Sequence, residues 1–96
     1  MRMLLMAQPN VDAGSAALAK GEMAKTIQTM VEQLHPEATY FAPVGATRTM
    51  IVVFDMDDPS RLPAISEPLF KMGARVEIVP CMNLEDLQRG LSAIGG

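Results

Sequence analysis

The chain has 96 residues, enough for one modest hydrophobic core but not for a second domain, so a single unit spanning 1–96 is expected. Its 49% hydrophobic and 20% charged content is that of a folded soluble protein, and no apolar run approaches the roughly 20 residues needed to cross a bilayer. A formal charge of −3, with eight Lys and Arg residues scattered along the chain, leaves no basic footprint for nucleic acid or an anionic membrane, and neither is expected as a partner.

Met1 to Ala7 is apolar but short and runs straight into Gln8-Pro9-Asn10. It lacks the hydrophobic centre and small-residue cleavage site of a secretory signal and is read as a first strand. Pro9 withdraws a backbone donor and Asn10 suits a turn, so the strand ends there. Helical spacing follows: Met23, Ile27, Met30, Val31 and Leu34 form one apolar stripe, with Lys25, Gln28 and Glu32 on the wet side. Asp12 or Ser15 is the expected cap, Gly14 and Gly21 blur the start, and His35-Pro36 closes the helix.

"ATYFAPV" and "TRTMIVVFDM" flank Gly45-Ala46 and read as a hairpin of strands two and three. Asp58 then caps a second helix with Pro59 at its first position and Gly73 as its stop; Leu62, Ile65, Leu69 and Met72 are its buried stripe. Pro63 lies near the first turn, but Pro68 is internal and is expected to kink or break the helix. "ARVEIVPCM" is a fourth strand, and Asn83 caps a last helix with Leu84, Leu87, Leu91 and Ile94 on one face. That stripe needs an apolar surface, either its own sheet edge or a partner chain.

The order βαββαβ plus a C-terminal helix predicts an α+β fold in which both crossover helices cover the same side of a four-stranded antiparallel sheet. The other side of such a sheet normally alternates toward polar residues, yet strand three offers Met50, Val52 and Phe54 on one face and Ile51 and Val53 on the other. In strands one and four, the purely apolar sets (Met3, Leu5, Ala7; Val76, Ile78) belong under the helices. The mixed sets (Arg2, Leu4, Met6, Gln8; Arg75, Glu77, Val79) belong on the open face. Apolar side chains left wet there forgo roughly 1.5–3 kcal/mol each, which predicts a homodimer packed sheet against sheet.

In this pattern the chain resembles the dimeric α+β barrel superfamily, in which two ferredoxin-like protomers pack through their sheets. Tyr40 to Leu87, about half of the chain, resembles more narrowly a family of small, uncharacterised bacterial proteins within it, through "FDMDDPS", "AISEPLF" and "VEIVPCMN". Muconolactone isomerase, cofactor-free quinone-forming monooxygenases, small natural-product cyclases and haem-degrading enzymes are members of that superfamily, so the resemblance implies a fold and a pocket between sheet and helices rather than one reaction. The haem-degrading branch depends on a histidine ligand, and His35 before Pro36 is a poor candidate for it.

The chemically interesting side chains are few. His35 is an acid or base near neutral pH, or a residue that complements the helix dipole. Tyr40, the only tyrosine, presents its hydroxyl to a ligand or to water. Arg48, Arg75 and Glu77 are charges within strands that seek burial: Glu77 pairs with an arginine across the sheet or dimer, or Arg48 or Arg75 holds a ligand carboxylate or enolate. Asp55, Asp57 and Asp58 are structural, since they lack calcium-loop spacing. Glu67 lies off the leucine stripe, where Pro68 could turn it toward a cleft beside Leu69 and Phe70. The nine methionines serve as core or as the lining of an adaptable pocket. The lone Cys81 excludes an internal disulfide and points to a reducing, cytoplasmic setting.

No phosphate-binding loop, nucleophile elbow or HExxH motif occurs, so neither metal nor organic cofactor is expected. Two functions remain open. One is a cofactor-independent isomerase, cyclase or monooxygenase acting on a hydrophobic conjugated carbonyl compound, with catalysis by His35, Tyr40, Glu67 or Glu77. The other is a non-catalytic ligand-binding or protein-interaction module.

Overall fold

The computed structural model describes residues 1–10 and 21–96. In chain order these form strand β1 (Arg2–Pro9), helix α1 (Glu22–Leu34), strands β2 (Ala38–Val44) and β3 (Thr47–Asp55), a 3-10 turn (Pro59–Arg61), helix α2 (Leu62–Lys71), strand β4 (Ala74–Pro80) and helix α3 (Leu84–Ala93). The strands make one antiparallel sheet in the order β2-β3-β1-β4. The fold is α+β, the ferredoxin-like βαββαβ arrangement followed by a C-terminal helix.

The register explains how the sheet sorts its side chains. Met3 faces Phe54, Leu5 faces Val52 and Ala7 faces Met50, while Leu5 and Ala7 also face Ile78 and Val76. Because side chains alternate along a strand, these positions share one face, and it is the face that α1 and α2 cover. Leu5, Val52 and Phe54 are fully buried there, joined by Met30 and Leu34 from α1 and by Ile65 and Leu69 from α2. Each such side chain contributes roughly 1.5–3 kcal/mol by leaving water. Leu4, Met6, Ile51, Val53 and Val79 occupy the opposite face, half-buried or exposed, outside the core cluster formed with the described helices.

The turns and caps carry their own logic. Gly45 and Ala46 join β2 to β3 with φ of 61° and 60°, the left-handed pair that matches the twist of a two-residue hairpin. Ala46 adopts this conformation at a cost of about 1–2 kcal/mol. Asp58 accepts a hydrogen bond from the Ser60 amide at 2.8 Å, with Pro59 opening the 3-10 turn. Gly73 at φ 73° ends the α2 segment. The cap expected at Asp12 or Ser15 lies outside the described residues, and Gly21, at φ 74°, precedes α1 without any side-chain cap.

Pro68 does not break α2, which runs as one segment from Leu62 to Lys71. The amide that Pro68 lacks would have bonded the Ala64 carbonyl. Both residues lie on the exposed side of the helix, where water reaches that carbonyl and the loss is small.

Helix α3 is held at its start and bare along its length. Asn83 accepts from the Asp86 amide at 2.8 Å, and the Asp86 carboxylate accepts from the Asn83 amide at 3.0 Å, a reciprocal capping box. Asp86 also bonds Arg2 at 3.2 Å and pairs with Arg89, while Arg2 reaches Glu37 at 2.6 Å. No residue of α3 is buried: Leu84 is 69% exposed and Ile94 80%. Of the two surfaces expected to receive this stripe, the helix's own sheet edge does not do so. The radius of gyration, 15.2 Å, exceeds the roughly 12.5 Å of a compact chain this long.

The capping box makes α3 acid-sensitive. The Asn83 amide, and next the Arg89 and Arg2 charges, hold the Asp86 carboxyl below its ordinary value. A carboxylate depressed in the folded state stabilises that state above the unfolded pKa and loses its effect as pH falls through the folded one. Amide exchange should therefore show α3 fraying below about pH 4, the ordinary Asp value, before β1 and β3 open. In Asp86→Asn, α3 should exchange rapidly at neutral pH and show little further change with acid.

Candidate functional site

A cleft of about 360 Å³ lies on the helix-covered side of the sheet, at the N-terminal end of α1. Met23, Thr26 and Ile27 from the first turns of α1 form one wall, and Leu69 and Met72 at the end of α2 another. Its floor is Ala7, Met50 and Ala74, with Phe41, Pro43 and Arg48 on the hairpin side. Met30, Leu34 and Ile65 belong to the packed core, whereas the floor of the cleft carries the small side chains Ala7 and Ala74.

The walls are almost entirely apolar, and the polar groups among them differ in availability. Thr49 is buried and satisfied: its hydroxyl accepts from Gln8 Nε2 at 3.0 Å and donates to the Thr47 carbonyl at 2.9 Å. Thr26 and Arg48 have no side-chain hydrogen bond or ion pair among the described residues. Arg48 reaches solvent and sits opposite Pro43 in the register, at the rim of the cleft.

The residues singled out in the sequence are dispersed. Arg48 and the buried Leu69 line the cleft; Phe70, 50% exposed, does not. His35 ends α1 at its far end, in the left-handed region at φ 45°, with its amide donating to the Val31 carbonyl at 3.1 Å. Tyr40 pairs with Ile51 on the open face and is 65% exposed. Glu67 is exposed on α2 and borders neither the cleft nor the smaller groove of about 210 Å³ between α1 and α2. Arg75 and Glu77 are exposed on the open face, and neither forms an ion pair among the described residues. The open-face arginine that does pair is Arg2, with Glu37 and Asp86.

The three aspartates have separate structural tasks: Asp55 bonds the Met1 amine at 2.7 Å, Asp57 bonds Arg61 at 3.1 Å, and Asp58 caps the turn. Ser60 hydrogen bonds lower the Asp58 pKa, and the Met1 amine lowers that of Asp55. Thr26, Met23 and Ile27 were not identifiable as cleft residues, although the parity of Arg48 with Met50 along β3 was a usable signal for the arginine. Among the described residues no helix is long and apolar enough to cross a membrane. Comparison with known proteins finds no matching family model and no curated relative.

Proposed function

We propose that this chain is a small-molecule-binding protein of the dimeric α+β barrel type, which takes an apolar ligand into the cleft between α1, the end of α2 and the sheet. The observation that carries this reading is the cleft itself: about 360 Å³ falls in the size range of ligand sites, and apolar walls with one or two placed polar groups are their usual composition. His35, Tyr40 and Glu67 stand outside its walls, so no proton-transferring carboxylate, imidazole or phenol faces a bound molecule among the described residues. Binding is therefore favoured over the isomerase, cyclase or monooxygenase reading.

The dimer rests on the uncovered faces. Leu4, Met6, Ile51, Val53 and Val79 form a continuous apolar field on the side opposite the helices. Arg2, on that same face, ties the start of α3 to its edge, and the bare leucine stripe of α3 is a second uncovered apolar surface. A second copy is favoured because Arg75 and Glu77 lie two residues apart on one face of β4. In a two-fold contact a patch meets itself, so an axis passing between these two positions brings Arg75 of one copy to Glu77 of the other.

Methyl NMR tests the ligand reading. Titration with a neutral apolar probe such as 1-octanol should give saturable shifts at Met23, Met50 and Met72, with little change at Met3 and Met56 in the packed core. Ile27→Trp, which fills the cleft, should abolish them. Shifts confined to open-face residues, or none at all, would remove the cleft from consideration.

A further inference from the structure

We infer that the ligand of the cleft is an amphipathic carboxylate, whose anionic head is held by Arg48 at the rim while its apolar body lies over Met50 and Ala7. The inference rests on the cleft reading above and adds the ligand's charge and chemical class to it.

The positions that face the helices along all four strands supply the first argument. They are Met3, Leu5, Ala7 and Pro9 on β1, Thr39, Phe41 and Pro43 on β2, Arg48, Met50, Val52 and Phe54 on β3, and Ala74, Val76 and Ile78 on β4. Arg48 is the one charge in this set. Arg48 is exposed at the rim, so it keeps its hydration while its guanidinium stands beside the apolar walls. Among the described residues Arg48 has no carboxylate partner, and no acidic side chain lines the cleft. In a chain with 11 acidic and 8 basic residues, a cation kept clear of the described acids at the mouth of an apolar cleft leaves a place for an external anion.

The geometry selects the anion. Arg48 is one fixed cation with a planar fork suited to bidentate carboxylate recognition. Among the described residues the unbonded Thr26 hydroxyl on α1 is the only other donor free in the wall. One positive charge beside apolar walls balances a monoanion; a phosphate dianion would enter with excess charge and few donors. At roughly 30 Å³ for each water-sized atom, the space holds about a dozen non-hydrogen atoms, which corresponds to a medium-chain or arylalkyl carboxylic acid.

The test compares four ligands that share one tail: octanoate, 1-octanol, octylamine and octyl phosphate, each titrated below its micelle concentration against the whole chain by calorimetry and Met methyl NMR. Octanoate is expected to bind at least about 10-fold more tightly than octanol, and octylamine more weakly than both. Arg48→Gln should weaken octanoate about 10- to 100-fold, the range of a charge-assisted hydrogen bond, and leave octanol within about threefold. Arg48→Lys should recover part of the loss. Arg48 is exposed, so these variants fold, and their unchanged Met3 and Met56 methyl signals confirm it. If octanol binds in the cleft as tightly as octanoate, or Arg48→Gln changes neither, the cleft reading stands and the carboxylate inference falls. Octyl phosphate binding more than about 10-fold tighter than octanoate overturns the choice of carboxylate. No binding by any of the four, or binding that Ile27→Trp leaves intact, overturns both.

Discussion

Val52→Asp is expected to destabilise the fold by upwards of about 4 kcal/mol, seen as a large fall in the urea midpoint and, where little stability remains, loss of the cooperative transition and of sheet circular dichroism. Val52 is 1% exposed, flanked along β3 by Met50 and Phe54 and paired across the sheet with Leu5 and Thr39. A carboxylate at that point has no donor to meet it and must either stay charged in an apolar core or take up a proton. Either route, added to the lost valine burial, costs upwards of about 4 kcal/mol. A chain this long has only about 5–14 kcal/mol in total, so the change removes between about a third and most of its stability. A Val52→Asp protein with a transition midpoint near that of the wild type would mean that the helix-covered face is not the core.

The sequence made the architecture readable where local chemistry and long-range pairing agree. The apolar run from Met50 to Phe54 announced a strand covered on at least one face, and the purely apolar sets of β1 and β4 identified that face correctly. The Asp58-Pro59 start, the Gly45-Ala46 hairpin and the Asn83 cap all depend on neighbours within a few residues, so they survive without any knowledge of tertiary contacts.

What failed to show is what depends on the third dimension. Pro68 looked disruptive because its cost was judged along the helix alone, while its position on the wet side decides the outcome. The cleft lies at the Met23–Ile27 end of α1 and reaches Leu69 but not Phe70, because its place is set by how both helices and the sheet pack together. No spacing within either helix encodes that packing. The dispersal of His35, Tyr40 and Glu67 is another product of packing. The sequence does put His35 at a helix end and Glu67 off the leucine stripe, but only packing decides that neither of them, nor Tyr40 on the open face, reaches the cleft.

Ile51→Asp, one residue from Val52, is expected to do something quite different: preserve the fold and dissociate the proposed dimer. Ile51 points to the open face, paired with Met6 on β1 and Tyr40 on β2. In a single chain an aspartate there keeps its water, and the cost to the fold is limited to poor strand propensity, about 1 kcal/mol or less. In a two-fold sheet-to-sheet contact the same change enters twice and places two carboxylates in one apolar seam. Their desolvation and mutual repulsion should raise the dimer dissociation constant at least about 100-fold, close to 3 kcal/mol. Sedimentation velocity at micromolar concentration should give twice the 10.4 kDa chain mass for the wild type and the single mass for Ile51→Asp, with sheet circular dichroism unchanged. Truncation after Asn83, which removes the α3 stripe, should shift the equilibrium in the same direction by a smaller amount. A well-folded wild-type chain that sediments at 10.4 kDa would rule out the sheet-to-sheet dimer, and an Ile51→Asp protein that keeps the doubled mass would place the contact elsewhere on the molecule.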